Sequence, residues 1–300
     1  MTPSPISLSL GPLLFNWPAD RIRDFYRRIA DEAPINDVYL GEVVCGKRQP
    51  LLQGALADAA ERLESAGLRI IWSTYALPAT PRERRLTAEL AQGDGLLEAN
   101  DMSAILDRSP APFVAGPLLN IYSGPAAAEL VGRGCVRICP NIELSLAAIS
   151  SISRDCPGVE IELFGFGRAP LAISGRCAQA RFAGLHKDSC RYVCDQHPDG
   201  MTVSTLEEAP FLAVNGVQTL SHGVQTIDVP VTALRAAGVT NVRLSPHAMD
   251  MVAVSRAFRD YLDGVIGHDE LQHRLRVAGP PGPLVSGYLH GAPGMMVALA

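Results

Sequence analysis

The sequence predicts an α/β fold, and within that class a (β/α)8 barrel of the TIM type. Strand-like and helix-like segments alternate through most of the 300 residues. The strand-like segments are continuous apolar runs, which are typical of parallel strands covered on both faces. The pattern holds about eight strand–helix units, the number that closes a barrel of this type. An open doubly wound sheet is the alternative.

The first part of the chain provides three strand–helix units. The first helix begins near Pro18, and its apolar residues recur at helical spacing from Ile22 to Ile29. Gly67 provides a stop for the second helix, and Thr80 a cap for the third. The predicted elements are strands at 7–15, 37–44 and 68–77, with helices at 17–34, 49–67 and 80–93.

The alternation of strand-like and helix-like segments continues, with shorter segments, until about residue 165 and returns near residue 240. It predicts strands at 95–100, 112–123, 136–144, 158–165 and 240–246, with helices at 101–109, 124–134, 145–155 and 250–267.

Residues 168–230 break the alternation. The helical period disappears, and short strand-like pieces and three cysteines take its place. The segment is too long for an ordinary βα loop, and long loops at the carboxyl ends of barrel strands are where such folds place function. We therefore predict one barrel domain over 1–300, with a cysteine-bearing, β-rich insertion at 168–230 after strand 7.

Charge and hydropathy exclude several classes of protein. The chain has 26 Lys and Arg against 31 Asp and Glu, a net charge of −5, which makes nucleic acid and anionic membranes poor partners. No apolar run is long enough for a transmembrane segment. The apolar start of the chain lacks the basic residues of a secretory signal, so we expect a cytoplasmic protein.

The seven cysteines are the most informative residues in the composition. Their odd number and the expected compartment argue against a disulfide framework. Cys177, Cys190 and Cys194 lie within 18 residues of the insertion, and Cys45 follows the second strand at the same end of the barrel. Four thiolates suit Zn²⁺ or an iron–sulfur cluster, and the wide spacing favours a cluster.

The other three cysteines are expected to be structural. Cys135 and Cys139 lie on one predicted strand and are expected in the core, about 13 Å apart along it. Cys156 lies in a loop and is expected to be a surface or half-buried thiol.

Polar residues at predicted strand ends are further candidates for the barrel mouth, although each is equally suited to capping or loop hydrogen bonds. His268 and His273 are five residues apart, which does not match the zincin spacing. The strand-end candidates are Glu42, Asn100, Asn120, Asn141, Glu162, Arg168 and Ser245.

The chain contains the motifs LGEVVCGKR, VEIELFGFGRAPLAISGRC and SGYLHGAPGM. Together with the spacing of the insertion cysteines, these motifs resemble UbiV-type ubiquinone biosynthesis proteins of the collagenase-like peptidase superfamily. The resemblance covers essentially the whole chain. Peptidase relatives have a further cysteine shortly before the S-G-x-C element, where this chain has Ala169, Pro170 and Leu171.

The resemblance implies an oxygen-sensitive [4Fe–4S] cluster whose ligands match Cys45, Cys177, Cys190 and Cys194. It also implies a heterodimer with a UbiU-like cluster protein and cooperation with the lipid-carrier protein UbiT. The implied activity is O₂-independent hydroxylation of the ring of ubiquinone precursors in anaerobic bacteria, with prephenate as oxygen donor. No catalytic residue is assigned.

Two other functions remain as alternatives. The first is a structural zinc-binding module, which would be colourless where a cluster absorbs visible light. The second is a peptidase-like hydrolase, although the sequence shows no recognisable pair of nucleophile and base.

Overall fold

A computed structural model describes residues 5–297 and confirms the predicted fold class. Eight parallel strands close into a barrel, because the last barrel strand pairs with both the first and the seventh. Numbered in chain order, the barrel strands are Ser7–Leu10 (β1), Asp37–Leu40 (β2), Arg69–Ser73 (β3), Leu97–Ala99 (β4), Phe113–Ala115 (β5), Cys135–Ile138 (β6), the first half of Glu160–Ile173 (β7) and Val239–Leu244 (β11).

Helices follow the barrel strands and cover their outer faces. Local signals fix their ends: Thr80 and Glu83, for example, form a reciprocal capping box at the start of the third helix. The helices are Ala19–Glu32 (α1), Gln49–Ser65 (α2), Pro81–Ala91 (α3), Met102–Arg108 (α4), Gly124–Val131 (α5), Leu146–Asp155 (α6), Ala178–Phe182 (α7), Val231–Ala236 (α8), Met251–Leu262 (α9) and His268–Val277 (α10).

A second, antiparallel sheet grows out of the barrel at its carboxyl-terminal end. β7 continues past the barrel and pairs with β10, which pairs with β9 and then β8. β12 adds in parallel to β10. The strands of this sheet are Met201–Ser204 (β8), Pro210–Asn215 (β9), Gln218–Gln225 (β10) and Leu284–Val285 (β12).

Several predicted strand boundaries are wrong. β2, β3, β5 and β6 end four to eight residues before their predicted ends, at Leu40, Ser73, Ala115 and Ile138, and β7 runs past 165 to Ile173. β1 ends at Leu10, not at 15, because the chain turns across the barrel end from Gly11. Within the predicted insertion, β10 begins at Gln218 in register with β9 and ends at Gln225.

The barrel interior contains a network of buried charges. Arg243 donates to Glu162, with 3.0 Å between Nε and Oε2, and also pairs with Glu98. Tyr39 donates to the same Glu162 oxygen at 2.9 Å, and Arg137 lies 3.7 Å from the other oxygen. Ion pairing compensates for the loss of water around these charges.

Candidate functional site

Cys45 lies in the loop between β2 and α2, at the carboxyl-terminal end of the barrel. Glu42 shapes this loop, because its Oε1 accepts hydrogen bonds from the backbone N–H groups of Val44 and Cys45, both at 2.8 Å. Burial raises the pKa of the Cys45 thiol. Cys45 remains half-buried.

The other three predicted ligands lie in the insertion between β7 and β8. Cys177 is buried at the start of α7, where its sulfur accepts a hydrogen bond from the N–H of Ala180 at 3.3 Å. Cys190 is half-buried after a short 3₁₀ turn at 187–189. Cys194 is buried in the next such turn, at 193–196.

The four thiols share a neighbourhood. Cys45, Cys177 and Cys190 belong to, or pack against, one small apolar cluster. Cys194 lies close enough to Cys177 for the two sulfurs to interact electrostatically. Within residues 5–297, however, no three His, Cys, Asp or Glu side chains form a group that could hold a metal ion. The structure therefore brings the thiols near each other without a preformed coordination sphere.

Arg48 is the buried cationic group of this neighbourhood, and no motif in the sequence indicated it. The side chain is 1% exposed and donates to the carbonyl of Leu14 at 3.1 Å and to Oδ1 of Asn215 at 2.6 Å. Burial alone lowers the pKa of a guanidinium, but Glu42, Cys194 and Cys45 more than offset this and raise the pKa of Arg48. Its buried Nε has no hydrogen-bond partner among the described residues.

Two asparagines position the segment around Cys194. Asn16 follows β1 and donates from Nδ2 to the Cys194 sulfur at 3.4 Å. Asn215 ends β9 and donates to the carbonyls of Cys194 and His197, both at 2.9 Å. Burial raises the pKa of the Cys194 thiol, while Arg48 and Asn16 act in the opposite direction.

Most strand-end candidates are occupied in structural hydrogen bonds. Arg168 is 2% exposed and donates to the carbonyls of Ser221 and Pro281, each at 2.8 Å, which holds β7 against β10. Asn141 donates to Asn120 at 2.9 Å. These side chains are tied to the scaffold around the barrel end.

A cavity at the centre of the barrel mouth, among the described residues, is small. Asn100, Ser245 and two charged residues of the barrel network line a cavity of about 20 Å³. Leu14, Val43 and Leu118 also line it. This volume holds about one water molecule. Glu162, predicted at a strand end, is 0% exposed and lies inside the barrel.

A histidine and an aspartate link the insertion to the end of β11. His247 Nδ1 lies 3.0 Å from Oδ1 of Asp199, and Nε2 accepts the backbone N–H of Arg168 at 3.0 Å. Burial lowers the pKa of His247, and the acceptor role of Nε2 requires the neutral ring. Because its lone pair is engaged, the imidazole is a structural link here.

Two larger cavities lie at this end of the barrel, one of them lined by a cysteine. A cavity of about 450 Å³ is situated between α2 and α3, and Glu42 is part of its wall. A cavity of about 430 Å³ borders Cys177 and carries Arg176, Arg181 and Lys187. Both volumes fall within the range of small-molecule sites, which is about 300–1,000 Å³.

The fold and the site define a TIM-type barrel protein whose insertion brings three cysteines to a fourth at the end of β2. The sequence model of peptidase family U32 matches residues 18–297, and the chain belongs to this family. In the described residues no helix is long and apolar enough to cross a membrane.

Several solved structures are similar to this chain. A U32 peptidase is 12% identical, with a TM-score of 0.47 over 83% of this chain and 96% of that one. A truncated 3-deoxy-D-arabino-heptulosonate 7-phosphate synthase from Thermotoga maritima is 10% identical, with a TM-score of 0.43 over 93% and 89%. N-acetylneuraminate lyase from Aliivibrio salmonicida is 14% identical, with a TM-score of 0.35 over 90% and 78%.

Proposed function

We propose that this protein is the [4Fe–4S] subunit of an O₂-independent hydroxylase that acts on the ring of ubiquinone precursors, with a UbiU-like partner. The observation that carries the proposal is the shared neighbourhood of Cys45 and the three insertion cysteines beside the buried Arg48. More than 130 residues separate Cys45 from Cys194 in the sequence, and the fold brings them to the same guanidinium.

The donor set fits an iron–sulfur cluster. Thiolates are the ligands that such clusters use. The guanidinium of Arg48 donates to the neutral oxygens of Leu14 and Asn215 and also interacts with the thiol of Cys194, and its buried Nε has no partner among the described residues. A buried cation with a spare donor favours an anionic neighbour, and a cluster with four thiolates is anionic. Cys45, Cys177, Cys190 and Cys194 would hold the cluster, which would supply electron transfer.

The protein's own N–H donors are arranged to support such ligands. Asn16 donates to the sulfur of Cys194, and Ala180 donates to the sulfur of Cys177. Hydrogen bonds to ligating sulfurs stabilise the thiolate and raise the reduction potential of a cluster. Four cysteine ligands leave no open iron, so the hydroxylation itself belongs at the partner or at the interface with it.

The cavity beside Cys177 supports the proposed oxygen donor. Prephenate carries two carboxylates, and this cavity presents Arg176, Arg181 and Lys187. Neither arginine has a carboxylate partner among residues 5–297, although the chain as a whole is acidic. We expect Arg181→Ala to weaken binding of prephenate without changing the iron content.

Exposed apolar side chains on the insertion support a protein partner. Phe182 is 69% exposed, Phe211 48% and Leu206 99%. A partner that buries such side chains would remove apolar surface from water, which favours association. We propose that the UbiU-like protein covers them and that UbiT delivers the lipid precursor to the complex.

Reconstitution tests this function. The chain, the UbiU-like protein and a ubiquinone precursor are mixed without oxygen, with and without prephenate. We expect ring hydroxylation only when both proteins and prephenate are present. Hydroxylation by this chain alone would contradict the assignment of the chemistry to the partner, and peptide cleavage by the iron-free chain would favour the hydrolase alternative.

A further inference from the structure

Lysine occurs only twice in the chain, and both lysines lie among the candidate cysteines. Lys47 comes two residues after Cys45, and Lys187 comes three residues before Cys190. The other 24 basic side chains of Lys and Arg type are all arginines. A lysine ammonium is a compact group with three donors on a flexible stem, which suits bonds to single backbone carbonyls.

Lys47 connects the turn after β2 to the 3₁₀ turn at 187–189. Its Nζ donates to the backbone carbonyl of Lys187 at 2.6 Å and lies 3.3 Å from Oδ1 of Asp188. The side chain of Asp188 is 92% exposed, so the bond to the carbonyl contributes more than the ion pair. The turn that carries Cys45 is thereby joined to the turn that leads into Cys190.

Lys187 makes a second connection from the same turn. Its Nζ donates to the backbone carbonyl of Gly175 at 2.9 Å, two residues before Cys177. Within the described residues, the 187–189 turn has hydrogen bonds to distant segments only through Lys47 and Lys187. The two lysines therefore link the segments that carry Cys45, Cys177 and Cys190.

The backbone between Cys190 and Cys194 is strained. Arg191 and Tyr192 have φ angles of 50° and 55°, in the left-handed region. Side chains of this size adopt that region at a cost in free energy, and two in succession persist only where surrounding contacts hold the segment. On the Cys190 side, the two lysine bonds provide those contacts, together with the packing of Cys190 itself.

We propose that Lys47 and Lys187 are positioning residues that hold the Cys190 turn against the segments of Cys45 and Cys177 before any metal is bound. Without the ammonium of Lys47, the turn is released from the barrel end, and the strained backbone that follows it relaxes. The inference rests on the proposed function in one respect, because the cysteines that the lysines hold together are the proposed cluster ligands. The lysine bonds themselves require no metal, substrate or partner.

Hydrogen exchange on the metal-free full chain, followed by mass spectrometry, tests this inference. Lys47→Met should speed exchange of the amides at 185–197 about tenfold, the effect of one lost hydrogen bond to a charged group. Lys187→Met should speed exchange there and also at 174–178. Lys47→Arg keeps a donor for the carbonyl of Lys187 and should exchange more slowly than Lys47→Met. Asp188→Asn is the matched control, because it removes only the exposed ion pair and should exchange like the parent.

Exchange in the barrel separates a local role of the lysines from general destabilisation. Strands β1 to β6 should exchange at the same rates in the parent and in every variant. Three results would overturn the inference: unchanged exchange at 185–197 in Lys47→Met, equally fast exchange in Lys47→Arg and Lys47→Met, or faster exchange throughout the barrel.

Iron retention distinguishes this inference from the proposed function. After reconstitution without oxygen, release of iron to a chelator should be severalfold faster from Lys47→Met than from the parent. Iron held by the parent, with no effect of Lys47→Met on exchange, would refute only the role of the lysines. Faster exchange in Lys47→Met, with no iron in any sample, would refute only the proposed function.

Discussion

Arg48→Met tests the role of the buried guanidinium most sharply. The wild-type side chain donates to Leu14, to the backbone carbonyl of Asn215 and to its Oδ1. The carbonyl of Leu14 still accepts a hydrogen bond from Gln218 Nε2 at 2.6 Å, so losing the bond from Arg48 costs little at this oxygen. Oδ1 of Asn215 loses a charge-assisted bond of 2.6 Å and is left buried.

A hydrogen bond to a charged group contributes about 1.5–3 kcal/mol, and a buried acceptor without its donor costs about 1–3 kcal/mol. Methionine recovers part of the packing, but it leaves the buried Glu42 without the cation that acts on its carboxylate. We therefore expect the free energy of unfolding to fall by about 3–5 kcal/mol. Urea denaturation measures the free energy of unfolding. The control is Arg276→Met on the exposed face of α10, which should change the free energy of unfolding by less than about 0.5 kcal/mol. An Arg48→Met protein as stable as the control would refute the reasoning.

Two further predictions concern the scaffold. His247 is held neutral in the fold, and burial lowers its pKa. Below about pH 6.5 the unfolded chain therefore binds a proton at this histidine that the folded chain excludes. The free energy of unfolding should fall with decreasing pH, by at most about 1.4 kcal/mol per pH unit from this group. His247→Asn should flatten that slope in urea titrations at several pH values, whereas the exposed His273→Asn should not. Arg243→Met leaves Glu98 buried without its cation and leaves Glu162 with Arg137 alone, 3.7 Å away, and should lower the free energy of unfolding by about 3–5 kcal/mol. A loss below about 1 kcal/mol would show that the two carboxylates do not need Arg243.

The fold class was accessible from sequence because it depends on local signals. Most barrel strands are short, largely apolar runs that are followed by a helix with a buried apolar face, and several of these helices have a side-chain cap, so chain order implies the parallel barrel. The continuation of β7 into a second sheet was less accessible, since its pairing with β10 spans about fifty residues of irregular chain. Such long-range pairings leave no periodic signal.

At the candidate site, too, the sequence indicated some features and not others. The cysteine spacing indicated the candidate ligands, but the surroundings of the ligands depend on tertiary contacts. Arg48 reads as an ordinary surface arginine in the sequence, yet it is buried against Asn215, 167 residues away. Cys156 was expected near the surface and is 4% exposed, because the end of α6 packs it against the start of α5. Asp199 and His247 meet only because the insertion folds back onto the barrel.

Iron and sulfide analysis tests the central claim most directly. The chain is purified without oxygen beside Cys194→Ala and, as a matched control, Cys156→Ala, which removes a buried thiol outside the candidate site. We predict about four irons and four sulfides per wild-type chain, with a visible absorption band that persists in Cys156→Ala and is lost in Cys194→Ala. Zinc in place of iron, no metal, or equal iron in both variants would contradict the assignment of these cysteines to a [4Fe–4S] cluster.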